Sequence, residues 1–281
     1  MMGPGGTSAM STTPAGETPL DRVAPLRRPS GRPALHQRWD NLLFVHWSFD
    51  PALIQATLPD GVRVDTFDGR AWVGVVPFEM RRVRPWGLPP MPGISNFPEL
   101  NVRTYVIDPE GVPGVWFYSL DADQGLAVRI ARSRFHLPYH RARMSSVYDA
   151  ATQRVTYQSR RRGADTDDRF RYRRVGTQHR AALGSLEWFL VERYAFVCEK
   201  ASVGLFRGRV HHPPYPLLEV ELECCETDLF ALDGLPQPDG PPEHVLASPG
   251  VQVEAFKVEG PLIRVRGSNV ASGAVRGAKR R

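Results

Sequence analysis

Lysine and cysteine are both scarce in this chain. Only Lys200, Lys257 and Lys279 stand among its 36 basic residues, the rest being arginine. An arginine bias spread through a whole chain reads as genome composition rather than as a selected surface, and the excess concentrates in the tails and one hairpin. The net charge of +6 and pI near 9.5 therefore do not mark a nucleic-acid binder, which needs a clustered face together with a reading motif. The three cysteines, Cys198, Cys224 and Cys225, cannot form a paired framework, and adjacent cysteines on a strand point to opposite faces. They fit a reducing compartment as small buried hydrophobes, and their spacing does not converge four ligands on a zinc ion.

Long apolar runs are missing as well. No stretch of about 18 apolar residues occurs, and the opening MMGPGGTSAMSTTPAGETPL lacks the basic, apolar and cleavage regions of a secretory signal. A soluble, cytoplasmic protein without a membrane partner is expected. Also absent are the phosphate-cradling loop ending in Lys-Ser/Thr, the dinucleotide fingerprint at a helix start and the Gly-x-Ser-x-Gly elbow. These absences remove nucleotide enzymes and common hydrolases, and no cofactor or metal is expected. His211-His212 is not a metal motif, because neighbours on a strand diverge; a structural role at a turn suits the pair better.

Apolar residues, at 42% of the chain, suffice for a large core. Residues 1–34 and 267–281 are rich in small, polar or basic residues without apolar periodicity and are expected to be disordered tails, leaving one domain over 35–266. Asp50-Pro51 predicts a capped short helix ending at Leu58-Pro59-Asp60-Gly61. Asp68-Gly69 between Val62–Phe67 and Ala71–Met80 predicts a hairpin, as does Asp108-Pro109-Glu110-Gly111 between Leu100–Ile107 and Val115–Leu120. A helix is expected over Gln124–Phe135 and a second after Ser185. Alternation predicts a hairpin of Val155–Arg160 with Arg169–Arg173, and further strands follow at Tyr194–Glu199, Val203–Val210, Leu217–Glu223 and Val251–Val258. Hairpin-linked strands without a βαβ rhythm imply an α+β fold, a mostly antiparallel sheet that curls or closes.

Two stretches carry candidate chemistry. In Phe97–Tyr105, the period of two puts Glu99, Asn101, Arg103 and Tyr105 on one strand face. That face is either wet or a pocket wall; in a pocket, a Glu99–Arg103 pair orients a polar substrate, whereas at a sheet end it is a structural ion pair. In Phe135-His136-Leu137-Pro138-Tyr139-His140-Arg141, a helix gives way to a strand, so that His136 or His140 serves as acid or base near neutral pH, or is an exposed or core-satisfied histidine.

At these residues the chain resembles the YqjF-like family of uncharacterised bacterial proteins, within the acetoacetate-decarboxylase-like superfamily. The likeness rests on Leu43-Phe44-Val45-His46-Trp47, Asp65–Phe78, Phe97–Val106, Gly114-Val115-Trp116-Phe117, Leu137-Pro138-Tyr139, Gly184-Ser185-Leu186-Glu187 and Val210-His211-His212-Pro213-Pro214. It implies a curved sheet or conical β-barrel with an interior site. In acetoacetate decarboxylase a lysine with a lowered pKa forms a Schiff base with a β-keto acid, and its lysine pair follows Tyr-Pro. The matching positions here are Tyr139 and His140, and neither forms an imine. Glu99 stands where that family places a functional glutamate, while Trp47-Ser48 occupies the region of an expected arginine.

Together these readings give a small carboxylate or carbonyl metabolite as ligand. Glu99, His140 and Tyr139 are the expected catalytic groups of an imine-free lyase or isomerase. Arg103, His46, Asn101, Tyr105 and His136 are the expected binding groups. The reading from a different class is a non-catalytic ligand-binding or regulatory protein; nucleic-acid binding through the Arg154–Arg174 hairpin is a lesser one, and homo-oligomerisation is left open.

Overall fold

The computed structural model describes residues 20–125 and 135–264. Thirteen strands form one sheet: β1 Leu35–Phe49, β2 Arg63–Val64, β3 Ala71–Pro85, β4 Phe97–Ile107, β5 Pro113–Ala122, β6 Tyr139–Asp149, β7 Arg154–Arg161, β8 Asp168–His179, β9 Ala195–Lys200, β10 Gly204–His211, β11 Leu217–Glu226, β12 His244–Ala255 and β13 Glu259–Arg264. Their hydrogen-bonded order is β13-β10-β9-β5-β6-β7-β8-β11-β12-β1-β3-β4-β2, with β10–β12 and β4–β5 paired in addition. The sheet thereby curves into a partial ring. Among the described residues only the pairings of β5 with β6 and with β9 are parallel, since parallel neighbours need a crossover rather than a turn. The expected helix over 124–135 falls in the β5-to-β6 crossover, and its residues 126–134 lie outside the described residues.

The short helices form where caps demand them. In α1, Pro51–Gln55, the Asp50 carboxylate accepts the Ala52 amide; in α2, Leu186–Val191, the Ser185 hydroxyl accepts the Trp188 amide. A third helix, α3 (Leu229–Leu232), buries Leu229 and Phe230.

Strands β1, β3 and β4 are the shared wall of two apolar layers, so both of their faces are buried. Leu42, Phe44, Val76, Phe78 and Tyr105 face one layer; Leu43, Val45, Val73, Val75 and Val102 face the other. Alternation is therefore hidden in sequence, as in any strand covered on both sides. Long β1, with the apolar run Leu42–Val45, pairs β12 on one flank and β3 on the other.

Two expectations need correction. The Asp68-Gly69 turn exists, with φ of 48° and 73°, but β2 leaves β3 and pairs with β4 through Arg63↔Ile107 and Val64↔Val106. Residues 20–34 do not behave as a free tail. Arg22 holds Asp65 by two hydrogen bonds of 2.5 and 2.6 Å, and Arg28 pairs Glu254. In the basic hairpin Arg154 and Arg171 pair with Glu223, Arg160 with Asp167, Arg169 with Glu226 and Arg173 with Glu221. Most of these carboxylates belong to adjacent β11.

Candidate functional site

A cavity of about 260 Å³ opens on the face of β4 that carries Glu99 and Arg103. Its wall is mainly apolar, with Met80, Val115, Phe117, Leu120, Phe196 and Val210 supplying much of it. Among the lining residues the polar side chains are few: Gln37, Ser95, Glu99, Arg103, Tyr139, Arg193 and Tyr215. Such a mostly apolar concavity with a few convergent polar groups is the usual form of a small-molecule site. Lining residues Pro85 and Met91 are exposed, which puts the opening beside loop 86–96.

Glu99 is 2% exposed, and its Oε2 accepts a 2.8 Å hydrogen bond from the Tyr139 hydroxyl. Burial raises its pKa from 4.5 to about 8, the Tyr139 bond opposing that shift only in part. The carboxyl thus keeps its proton at neutral pH. Burial, and after it the nearby Glu99 charge, also lifts the Tyr139 phenol well above its ordinary value. The Tyr157 hydroxyl donates to the Glu99 carbonyl and fixes the strand beneath.

Arg103 is 8% exposed and, among the described residues, has no acidic partner. Its Nη2 donates to the Leu190 carbonyl at 3.1 Å, while its buried Nε has no partner. The ion pair that would join Glu99 to Arg103 is absent among the described residues: four strand positions separate their Cα atoms by ~13 Å. The two groups serve different parts of one cavity instead.

Sequence reasoning missed Arg193, which follows α2 and lines the same cavity. Its Nη1 bonds Asp65 at 2.9 Å and its Nε bonds the Phe189 carbonyl at 2.7 Å, leaving buried Nη2 without a partner. Both guanidinium groups stand over the Tyr105 ring, Arg103 at 5.8 Å and Arg193 at 5.1 Å. A signal was present: Glu192-Arg193 is a charged pair between two apolar runs, Trp188–Val191 and Tyr194–Cys198.

The other candidates surround the cavity without lining it. The Tyr105 hydroxyl donates to the Leu190 carbonyl at 2.8 Å, so His46 Nε2, also 2.8 Å away, must donate to Tyr105. His46 Nδ1 then accepts from His244 Nδ1 at 3.1 Å. Burial, aided by His244 and Arg103, holds His46 well below its ordinary pKa. This neutral chain braces Leu190, which in turn accepts from Arg103. Asn101 is buried on the same strand face, its Oδ1 without a partner. His140 follows Tyr139 on β6 and so leaves from the opposite strand face; it is half-buried and not among the lining residues. His136 sits 5.8 Å from the Phe206 ring, outside the lining; burial, then Lys200, lowers its pKa.

Lys200 and Lys257 are exposed and neither lines the cavity, while Lys279 lies outside the described residues. No described lysine therefore offers the amine that Schiff-base chemistry needs. No metal-holding group of His, Cys, Asp and Glu occurs among the described residues, nor any helix long and apolar enough to cross a membrane.

Residues 36–252 match a family model described as an uncharacterized conserved protein, DUF2071. The chain is 36% identical over 216 residues to the uncharacterized protein YqjF of Bacillus subtilis (strain 168), covering 76% of this chain and 87% of that one. Among solved structures it is similar to acetoacetate decarboxylase from Legionella pneumophila, with a TM-score of 0.54 and 14% identity over 87% of this chain and 98% of that one. It is also similar to the enduracididine biosynthesis enzyme MppR complexed with pyruvate, with a TM-score of 0.51 and 15% identity over 82% of this chain and 90% of that one.

Proposed function

This chain belongs to the DUF2071 family, and on that footing we propose that its cavity binds a small carboxylate bearing a carbonyl, anchored by Arg103 and hydrogen-bonded by Glu99. One observation carries the reading. Arg103 is a buried cation, without an acidic partner among the described residues, on the wall of a cavity that is otherwise largely apolar. A buried charge is costly unless it is paired, and a ligand carboxylate in bidentate contact supplies the pair. MppR, of similar fold, is complexed with pyruvate, a carboxylate of this class.

Protonated Glu99 then does what a Schiff-base lysine does elsewhere, by a different route. It donates a hydrogen bond to the ligand carbonyl and stabilises the enol form. In the ionised fraction that a pKa of about 8 leaves near neutrality, the Glu99 carboxylate takes the proton α to the ligand carbonyl: the C–H bond breaks, a Glu99 O–H bond forms and the electron pair moves to the carbonyl oxygen as an enolate, to which the new acid donates. Return of that proton to carbon breaks the O–H bond, forms C–H and restores the carboxylate, to which Tyr139 donates, so the chemistry supported is isomerase- or lyase-type proton transfer without an imine. An acid with a pKa near the working pH is suited to both steps.

The second reading is non-catalytic binding. It is favoured by the lining itself, where among the described residues Glu99 is the one carboxyl and no histidine stands. The experiment that tests the proposal is a thermal-shift screen of carboxylic and oxo-carboxylic acids with wild type, Arg103→Met and Glu99→Gln, followed by NMR of α-proton exchange in deuterated water. Stabilisation of wild type but not of Arg103→Met supports the anchor. Exchange lost in Glu99→Gln supports catalysis, binding without exchange supports the second reading, and indifference to Arg103 overturns both.

A further inference from the structure

The distribution of polarity along the cavity says more about the ligand than that it carries a carboxylate. The two cations of the lining, Arg103 and Arg193, stand together over Tyr105, and each keeps a buried nitrogen without a partner. Arg193 shares Asp65 with Arg22, so one carboxylate answers two guanidinium groups there. Positive charge is therefore concentrated at the inner end. Toward the opening no lining cation is found among the described residues: Glu99, Tyr139, Ser95 and Gln37 are the polar groups, and the wall is Leu35, Trp39, Met80, Met91, Ile94 and Phe97. Beyond the rim the apolar track continues on exposed Trp86, Leu88 and Met91, of which Leu88 is 55% and Met91 56% exposed.

We infer that the ligand is a hydrophobic monocarboxylate, held head-first with its carboxylate at Arg103 and Arg193 and an alkyl or aryl body along the apolar wall toward loop 86–96. The inference rests on the Arg103 anchor proposed above. A very short acid leaves most of the wall against water: the 260 Å³ cavity corresponds to about nine water volumes. A body that displaces this water gains the hydrophobic free energy of the wall, roughly a fourfold gain in affinity per buried methylene. A second carboxylate that ends inside the cavity meets protonated Glu99 among apolar side chains and is penalised, whereas one long enough to emerge at Trp86 meets Arg32, which stands over that ring.

The test is calorimetric titration of the full-length protein at neutral pH with straight-chain monocarboxylates from acetate to decanoate, below their aggregation limits, and with α,ω-dicarboxylates of matched length. Affinity is expected to climb by roughly fourfold per methylene until the chain reaches the opening. Matched dicarboxylates too short to reach the opening are expected to bind at least about tenfold more weakly, and Arg103→Met to lose the whole series. In Ile94→Ala, which removes apolar surface beside the opening, the gain from the longest chains should shrink; the wild-type series decides the matter if that variant does not fold. Affinity independent of chain length, or equal for dicarboxylates, overturns the inference and leaves the Arg103 anchor standing. Binding that persists undiminished in Arg103→Met overturns the anchor itself.

Discussion

The Tyr139 hydroxyl donates a 2.8 Å hydrogen bond to Glu99 Oε2 across 40 positions of sequence. This contact joins the start of β6 to the start of β4 at one wall of the cavity, with both side chains buried. Tyr139 is the first residue after the β5-to-β6 crossover, and Leu120↔Tyr139 begins the parallel pairing that positions it.

The Glu99 carboxyl makes stability depend on pH. Folding raises its pKa from 4.5 to about 8, so between those values the unfolded chain has released a proton that the native state retains. Its contribution is fully present below about 4.5 and is lost as pH rises through about 8. In Glu99→Gln this dependence is absent. Denaturant unfolding across that window should show the variant gaining on wild type as pH rises, by an amount on the order of a few kcal/mol. Parallel curves would mean that Glu99 ionises freely in the native state.

Tyr139→Phe removes the donor that favours ionised Glu99. The Glu99 pKa is expected to move further up, and the protein to lose about 1 kcal/mol. Infrared titration of the carboxyl band, together with chemical denaturation, checks both. A downward shift would show that some other group governs the carboxyl.

Arg103 and Asp65 should respond in opposite senses. Arg103→Met replaces a buried cation lacking an acidic partner with an apolar chain of similar length, and stability is expected to be unchanged or raised by roughly 1–2 kcal/mol. Asp65→Asn strips the shared partner from Arg193 and Arg22 and should cost about 3–5 kcal/mol. Thermal unfolding of the two variants makes the comparison; a severe loss in Arg103→Met would assign that arginine to structure.

Gly74 leaves room for the His46 ring. A Cβ there would stand 2.8 Å from His46 Cδ2 and 3.4 Å from the Tyr105 hydroxyl. Gly74→Ala is expected to cost roughly 1–3 kcal/mol and to weaken ligand binding through displaced Tyr105 and Leu190. Equilibrium unfolding combined with a binding titration measures both effects, and a neutral result would show the histidine chain to be pliable.

The polar face of β4 was legible because a strand side-chain period of two needs no tertiary information: Glu99, Arg103 and Tyr105 do share a face. The caps at Asp50 and Ser185 were legible for the same local reason. Partner choice was not. Nothing in residues 62–67 says that β2 pairs with β4 instead of β3, since the Asp68-Gly69 turn satisfies either arrangement. Strand β1 escaped because it is covered on both faces, so its apolar run shows no alternation. Arg193 escaped because its value lies in what tertiary structure brings to it, Asp65 at a distance of 128 positions. His140 and Tyr139 look equivalent in sequence, yet one residue of register sends only Tyr139 into the cavity.

The most direct test of the account is a ¹³C NMR titration of the side-chain carboxyls of labelled glutamates, with Glu99 assigned by its loss in Glu99→Gln. The account predicts a titration midpoint at about 8, with the carboxyl protonated at neutral pH. A midpoint at the ordinary 4.5 would contradict it, because an ionised Glu99 can neither donate to a ligand carbonyl nor sit dry in that wall.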